Sequence, residues 1–284
     1  MLKRLLSTLV LWGIVIILPL TFGIHGAIWL LALFTFFTQL ELYNLISKIG
    51  FRPQSRLGCF LGFIMIIGTW YAPQLPFIHG RDAGSDIFTL SIIIISLTVL
   101  KRPDFSEAKA NIMPTLLGLL LVPFMLSFYV RIIYYFHTVG FSMTGMLLTL
   151  WLIAVAKFSD VGGLLVGMGF GKHKLAPAIS PGKTWEGALG GVIVACVVGS
   201  FLCSVFHRFA LMPFNFTPLV ATIVAIPVSI LAIASDLIES VLKRQAGVKD
   251  SGKIIPGIGG AFDLTDSLLL SASSGFLIFK YMFF

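Results

Sequence analysis

Charge is scarce in this chain. Only 11% of the 284 residues are charged, and Asp and Glu together number twelve. With 57% hydrophobic residues and a mean hydropathy of +1.00, a water-soluble domain could not hide its apolar side chains, so a soluble globular fold is excluded and an integral membrane protein is expected. Cysteine is nearly absent. Cys59, Cys196 and Cys203 form no CxxC pair, which argues against a disulfide framework or a thiolate metal site. Cys196 and Cys203 fall in one apolar run at a spacing that fits helix packing. The five histidines are scattered without HxxxH spacing, so zinc is not expected. Internal repeats, low-complexity tracts and a polar domain are missing too. One membrane domain, 1–284, is the simplest organisation, with N-terminal helices over 1–140 and catalytic helices and loops over 141–284.

What is present is a series of long apolar runs. They are continuous, whereas strands of a membrane β-barrel would alternate in short segments. The expected fold is therefore an all-α, polytopic membrane protein of about nine transmembrane helices, near 5–22, 27–46, 58–72, 87–100, 113–135, 142–167, 187–206, 217–241 and 264–283. Lys3-Arg4 followed by Leu5 to Leu20 resembles a signal peptide, but the run is long and no small-x-small cleavage site follows. It reads as a retained first span.

The basic residues test this map. With a cytoplasmic N-terminus and alternating helices, fifteen of the twenty Lys and Arg fall on the cytoplasmic side. Arg81, Arg208 and Lys280 fall outside, and Arg131 and Lys157 lie within the membrane. This positive-inside bias sets the expected orientation, with the N-terminus cytoplasmic, and a bacterial inner membrane is the expected location. The net charge of +8 thus follows from topology and does not call for nucleic acid.

Against so little charge, the stretch Ser235–Ser267 stands out. Asp236, Glu239, Ser240 and Lys243 share one helical face, at i, i+3, i+4 and i+7. Asp263 and Asp266 share another, and a Gly-rich turn through Gly257, Gly259 and Gly260 lets the two acidic faces meet. Clustered carboxylates without His or Cys suit a hard cation such as Mg²⁺, whose shell is usually completed by substrate phosphates. Lys243, Arg244 and Lys249 would neutralise phosphate charge, and the glycines would let backbone N–H groups approach phosphate oxygens. A nucleotide or pyrophosphate site is expected, against the plainer alternative of a helix pair with charged ends.

A second polar loop runs from Gly171 to Gly191. Its Ser180-Pro-Gly-Lys183-Thr184 lacks the spacing of a nucleotide-binding phosphate loop. Thr184-Trp185-Glu186 could instead start the next helix, with Trp185 at the lipid interface. Asp160 and Lys157, one turn apart, are either a salt bridge or part of a site; Glu41 and Arg131 either snorkel or pair.

Two of these motifs resemble the phosphatidate cytidylyltransferases, or CDP-diacylglycerol synthases. One is Ser240-Val-Leu-Lys243-Arg244, Lys249-Asp250, Pro256-Gly-Ile-Gly-Gly260, Asp263-Leu-Thr-Asp266; the other is Gly171-Lys172-His-Lys-Leu-Ala-Pro177 with Ser180-Pro-Gly-Lys183-Thr184-Trp-Glu186-Gly187. Asp160 sits where the family has an Asp. The resemblance covers about 155–270. Ile258 stands where the family has His, Ala261 where it has a larger apolar residue, and Leu264 where it has Arg. The resemblance implies CMP transfer from CTP to phosphatidic acid in the membrane lipid. It implies Asp236, Asp250, Asp263 and Asp266 as ligands of Mg²⁺ and a second cation, K⁺ being one candidate. Asp236, Lys243, Lys249, Asp250 and Asp263 would be catalytic. Asp160, Lys172, Ser180, Lys183, Thr184, Glu186, Glu239, Ser240, Arg244, Gly259 and Gly260 would bind substrate. A homodimer stays open. Two other readings remain: cytidylyl transfer to an isoprenoid lipid phosphate, and a transporter whose path uses Asp160, Asp236 and Arg131.

Overall fold

A computed structural model describes residues 2–76, 82–101, 105–252 and 259–283. Arg81, Arg102, Lys253, Pro256, Gly257 and Ile258 lie outside the described residues. Among those described, seven helices are long and apolar enough to cross a membrane: Ile17–Lys48, Ser55–Gln74, Ala110–Thr138, Ser142–Phe170, Trp185–Arg208, Pro218–Gln245 and Ala261–Phe283. Seven therefore stand where about nine were expected: the first two expected spans lie in one helix broken at a glycine, and the fourth falls on a helix of fifteen residues. The described residues are all-α apart from one short hairpin, and the chain divides into two compact units. One comprises Met1–Arg131 with Leu242–Thr265, the other Ile132–Val241 with Asp266–Phe284.

In the first unit, α1 (Leu2–Lys48) is two helical arms joined at Gly23, whose φ of 59° and ψ of −141° are open to glycine alone. The chain turns so sharply there that a side chain on Gly26 would strike the Leu18 carbonyl. The break expected between the helices near 5–22 and 27–46 is thus reduced to one residue. α2 (Ser55–Tyr71) and α3 (Ala83–Leu97) follow, and Asp82 caps α3 by accepting from Ser85 N. At fifteen residues, α3 is shorter than the spanning helices. α4 (Phe105–Leu119) runs through a π turn at Leu120–Phe124 into α5 (Met125–Thr138). Pro123 in that turn has no N–H to give, so the helical ladder slips to a wider loop there.

Leu61, Met65, Ile95 and Leu119 form a buried apolar core in this unit. Polar side chains join the helices around it, as expected where lipid supplies no hydrophobic drive between them. Gln39 Nε2 donates to Tyr43 Oη (2.9 Å) and to the Gly58 carbonyl (3.0 Å), and Tyr43 Oη donates to the Thr115 carbonyl (2.8 Å). Arg131 resolves as a structural pair. Its Nη1 meets Asp82 Oδ2 at 2.6 Å, and its guanidinium stacks 4.6 Å from the Phe128 ring centre.

In the second unit, α6 (Ser142–Phe170) and α7 (Trp185–Arg208) pack along a glycine seam. A Cβ on Gly191 would lie 2.5 Å from the Ser159 carbonyl oxygen, and one on Gly187 would lie 2.8 Å from that of Gly163. Only glycine permits such backbone approach. Between α6 and α7, β1 (Lys174–Ala176) and β2 (Ser180–Thr184) form an antiparallel hairpin, where the sequence suggests an irregular loop. Thr184 caps α7 by accepting from Gly187 N, and Trp185 opens the helix with its side chain exposed. α8 (Pro218–Gln245) packs against α7 where Cys196 Sγ donates to the Thr222 carbonyl. Cys203 donates to Phe216, which joins Trp151 and Phe279 in an aromatic cluster. α9 (Ala261–Phe283) closes the chain.

Candidate functional site

Six charged residues of the second unit converge from three helices and the hairpin. α8 supplies Asp236 and Glu239, one turn apart. α9 supplies Asp266 and Ser267, and α6 supplies Lys157 and Asp160. Asp236, Glu239 and Asp266 each offer a carboxylate oxygen within 4.8 Å of one another. α8 and α9 are joined at this level because Ser235 Oγ donates to the Asp266 backbone carbonyl. This is the meeting of acidic faces expected from the i, i+3 spacing.

Two ammonium groups reach the trio. Lys183 Nζ lies 2.6 Å from Asp236 Oδ2. Lys157 Nζ lies 3.4 Å from Asp266 Oδ1 and 3.7 Å from Asp160 Oδ2, and it donates to Ser267 Oγ at 2.8 Å. The Lys157–Asp160 alternatives therefore merge: the salt bridge exists and belongs to the cluster.

The hairpin that carries Lys183 is fastened at its base. Glu186, in the first turn of α7, accepts from the backbone N–H of Lys172 (3.1 Å) and His173 (3.1 Å), and its Oε1 lies 2.6 Å from His173 Nδ1. Trp185 N donates to the His173 carbonyl at 2.9 Å, closing the hairpin from the other strand. Glu186, expected to face substrate, here shapes the loop. Ser180 is half-buried on β2 and Lys172 is exposed. Thr184 is buried, its hydroxyl used by the helix cap.

A separate set of contacts lies in the first unit. Asp263, in the first turn of α9, accepts on Oδ2 from Gly260 N (2.8 Å), Ser251 N (3.0 Å) and Ser251 Oγ (3.0 Å). Its Oδ1 meets Lys243 Nζ at 2.9 Å. A carboxylate there both satisfies N–H groups left open at a helix start and answers the helix dipole. Gly259 has a φ of +131°, and a side chain on it would lie 2.7 Å from Asp263 Oδ2. The glycines thus serve a tight backbone path around Asp263.

Glu41 from α1 enters the same set. Its Oε2 accepts from Ser251 Oγ (2.8 Å) and Phe262 N (2.9 Å). Side chains on Gly252 or Gly260 would collide with its carboxylate. Glu41 is 3% exposed and clasps both ends of the loop that carries the motif.

Of the expected metal set, Asp236 and Asp266 enter the carboxylate trio found among the described residues, and Glu239 joins them. Asp250 is exposed, as are Arg244 and Lys249, and Ser240 is half-buried. Lys157 and Glu41 are absent from the expected site. Glu41 gives no signal in the sequence beyond its cost inside a membrane, whereas Lys157 is also marked by Asp160 one turn away.

The donor set suits a divalent cation: three carboxylate oxygens close together, without nitrogen or sulfur ligands. The chain matches the cytidylyltransferase family over residues 2–282. It is 30% identical over 231 residues to a phosphatidate cytidylyltransferase of Helicobacter pylori, covering 80% of this chain and 77% of that protein. A phosphatidate cytidylyltransferase of Synechocystis is 29% identical over 253 residues, covering 82% of this chain and 80% of its own length. One of Haemophilus influenzae is 37% identical over 139 residues, 49% of this chain and 47% of that protein. Against the relatives with identities of 37% to 42%, the chain spans about half of their length.

Proposed function

The chain belongs to the cytidylyltransferase family, and we propose that it transfers CMP from CTP to phosphatidic acid, giving CDP-diacylglycerol and pyrophosphate. The observation that carries this reading is the trio Asp236, Glu239 and Asp266, flanked by two lysines at the end of membrane helices. A phosphate oxygen of the lipid forms the new bond to the α-phosphorus of CTP, in line with the α–β bridging oxygen, and the bond from the α-phosphorus to that bridging oxygen breaks, releasing pyrophosphate. A lipid phosphate monoester is already a nucleophile near neutral pH, so no strong general base is needed.

Asp236, Glu239 and Asp266 would hold Mg²⁺, which when bound neutralises charge on the phosphates and the leaving pyrophosphate. Lys183, held beside Asp236 by the hairpin, contributes a fixed positive charge for a phosphate oxygen. Lys243, Arg244 and Lys249 are assigned to phosphate charge by their chemistry and motif position. Asp263 orients Lys243 and the turn at Gly259-Gly260. The excess of Lys and Arg on one side supports a cytoplasmic N-terminus and argues for CTP entry at the cytoplasmic face of a bacterial inner membrane.

The test is purified protein in mixed micelles with CTP, Mg²⁺ and phosphatidic acid, reading CDP-lipid and pyrophosphate. Wild type forms both in equal amounts. Asp236→Asn and Asp266→Asn form neither, while eluting as folded protein. Near-normal turnover in both variants removes the cation assignment, and no product from the wild type removes the reaction.

A further inference from the structure

Glu41 belongs to no motif, yet it is buried in a helix that crosses the membrane, where an ionisable side chain marks a functional site by default. One turn earlier on α1, buried Thr38 brings its Oγ1 to 3.0 Å from Thr265 Oγ1, between the two motif aspartates of α9. One face of α1 thus seats the first turn of α9: Thr38 meets Thr265, and Glu41 Oε2 accepts from Phe262 N. The same oxygen accepts from Ser251 Oγ, at the other end of the loop. These contacts all lie within the first unit.

The loop ends that Glu41 holds are the ones that hold Asp263. Ser251 N, Ser251 Oγ and Gly260 N, just before Phe262, donate to Asp263 Oδ2, and Asp263 N donates to Ser251 Oγ at 3.3 Å. Ser251 Oγ therefore stands between two carboxylates. With Oδ2 fixed on this side, Oδ1 is turned to Lys243 Nζ. A shift of Ser251 or of the start of α9 turns Asp263, and the ammonium moves with it. A charge that must meet a phosphate oxygen is sensitive to such a shift, because its worth depends on position.

We propose that Glu41 is a positioning residue for the nucleotide. Through Ser251 and the start of α9 it sets Asp263, and Asp263 aims the Lys243 ammonium at the phosphates of CTP. α1 is then part of the machinery that binds nucleotide, and not only an anchor in the lipid. The inference rests on the assignment of Lys243 to phosphate charge given above.

The experiment uses the full chain in lipid nanodiscs and has two readouts. The first is the rate at which an amine-reactive ester acetylates Lys243 without CTP, read by mass spectrometry against Lys183 in the same digest. Glu41→Leu acetylates Lys243 several times faster than wild type relative to Lys183, and Glu41→Gln, which keeps an acceptor oxygen, stays close to wild type. The second is the transfer assay. Glu41→Leu lowers kcat/KM for CTP about 10- to 100-fold while the KM for phosphatidic acid stays within about twofold of wild type. Glu41→Gln recovers most of the loss. Unchanged acetylation of Lys243 in folded Glu41→Leu, or equal losses toward CTP and phosphatidic acid, overturns the inference and leaves the proposed reaction standing. Should Glu41→Leu fail to fold, Glu41→Asp, which keeps the charge but shortens the reach, decides by the same criteria. No CDP-lipid from wild type removes the reaction and the nucleotide role with it, while the acetylation rates still decide whether Glu41 sets Lys243.

Discussion

Single carboxylates in this chain differ by what answers them. Asp236 and Asp266 face lysines and each other's oxygens, as ion-holding groups do. Asp263 pairs with Lys243 on one oxygen, but its other oxygen, like the carboxylate of Glu41, accepts from backbone and hydroxyl donors, as groups that hold a loop do. Glu41→Leu leaves the Phe262 N–H without its Glu41 acceptor, at a cost of about 1–3 kcal/mol for a buried donor, while the Ser251 hydroxyl can turn to Asp263. Thermal unfolding in detergent should show a clear loss for Glu41→Leu and a smaller one for Glu41→Gln, which keeps an acceptor oxygen. Equal melting of Glu41→Leu and wild type would contradict the clasp. Asp236, Asp263 and Asp266 are legible in the sequence because carboxylates at i, i+3 mark one face of a helix by their spacing alone. The partners of Glu41 and the contact of Lys157 with Asp266 are not, because Glu41 bonds Ser251 across 210 positions and Lys157 reaches Asp266 across 109. No local pattern records such partners.

Between elements, glycine decides how close two helices come. Gly191 and Gly169 lie on the paired helices α7 and α6 but in opposite circumstances. A Cβ at Gly191 would lie 2.5 Å from a backbone oxygen of the neighbouring helix, whereas one at Gly169 would meet nothing within 4 Å. Gly191→Ala should therefore force the seam apart and destabilise by about 1–3 kcal/mol, while Gly169→Ala should be neutral or stabilising by up to about 1 kcal/mol. Melting temperatures of the two variants check the signs. Hydrophobic runs of spanning length make the helices legible, since membrane helices must satisfy their own backbone. The β1–β2 hairpin is hidden because strands of three and five residues are too short to show alternation. The π turn at Leu120–Phe124 is visible only as a proline within an apolar run.

For the molecule as a whole, charge asymmetry sets how the chain lies in the membrane. Lys172 is exposed before the hairpin, and Phe214 is 94% exposed beyond the far end of α7. With a cytoplasmic N-terminus, a cysteine at Lys172 should react with a membrane-impermeant maleimide only in inverted vesicles. One at Phe214 should react only from the outside of intact spheroplasts. The opposite labelling would reverse the orientation.

The first unit is also discontinuous, and this matters when the protein is made. A ribosome delivers Glu41 to the bilayer 210 residues before Ser251 exists to meet it, a wait of roughly 10–40 seconds at bacterial elongation rates of about 5–20 residues per second. Until then, a carboxylate sits within a spanning helix without the serine and amide that will hold it. A nascent chain that stalls before Ser251 keeps that carboxylate without either of the two donors that hold it in the finished protein.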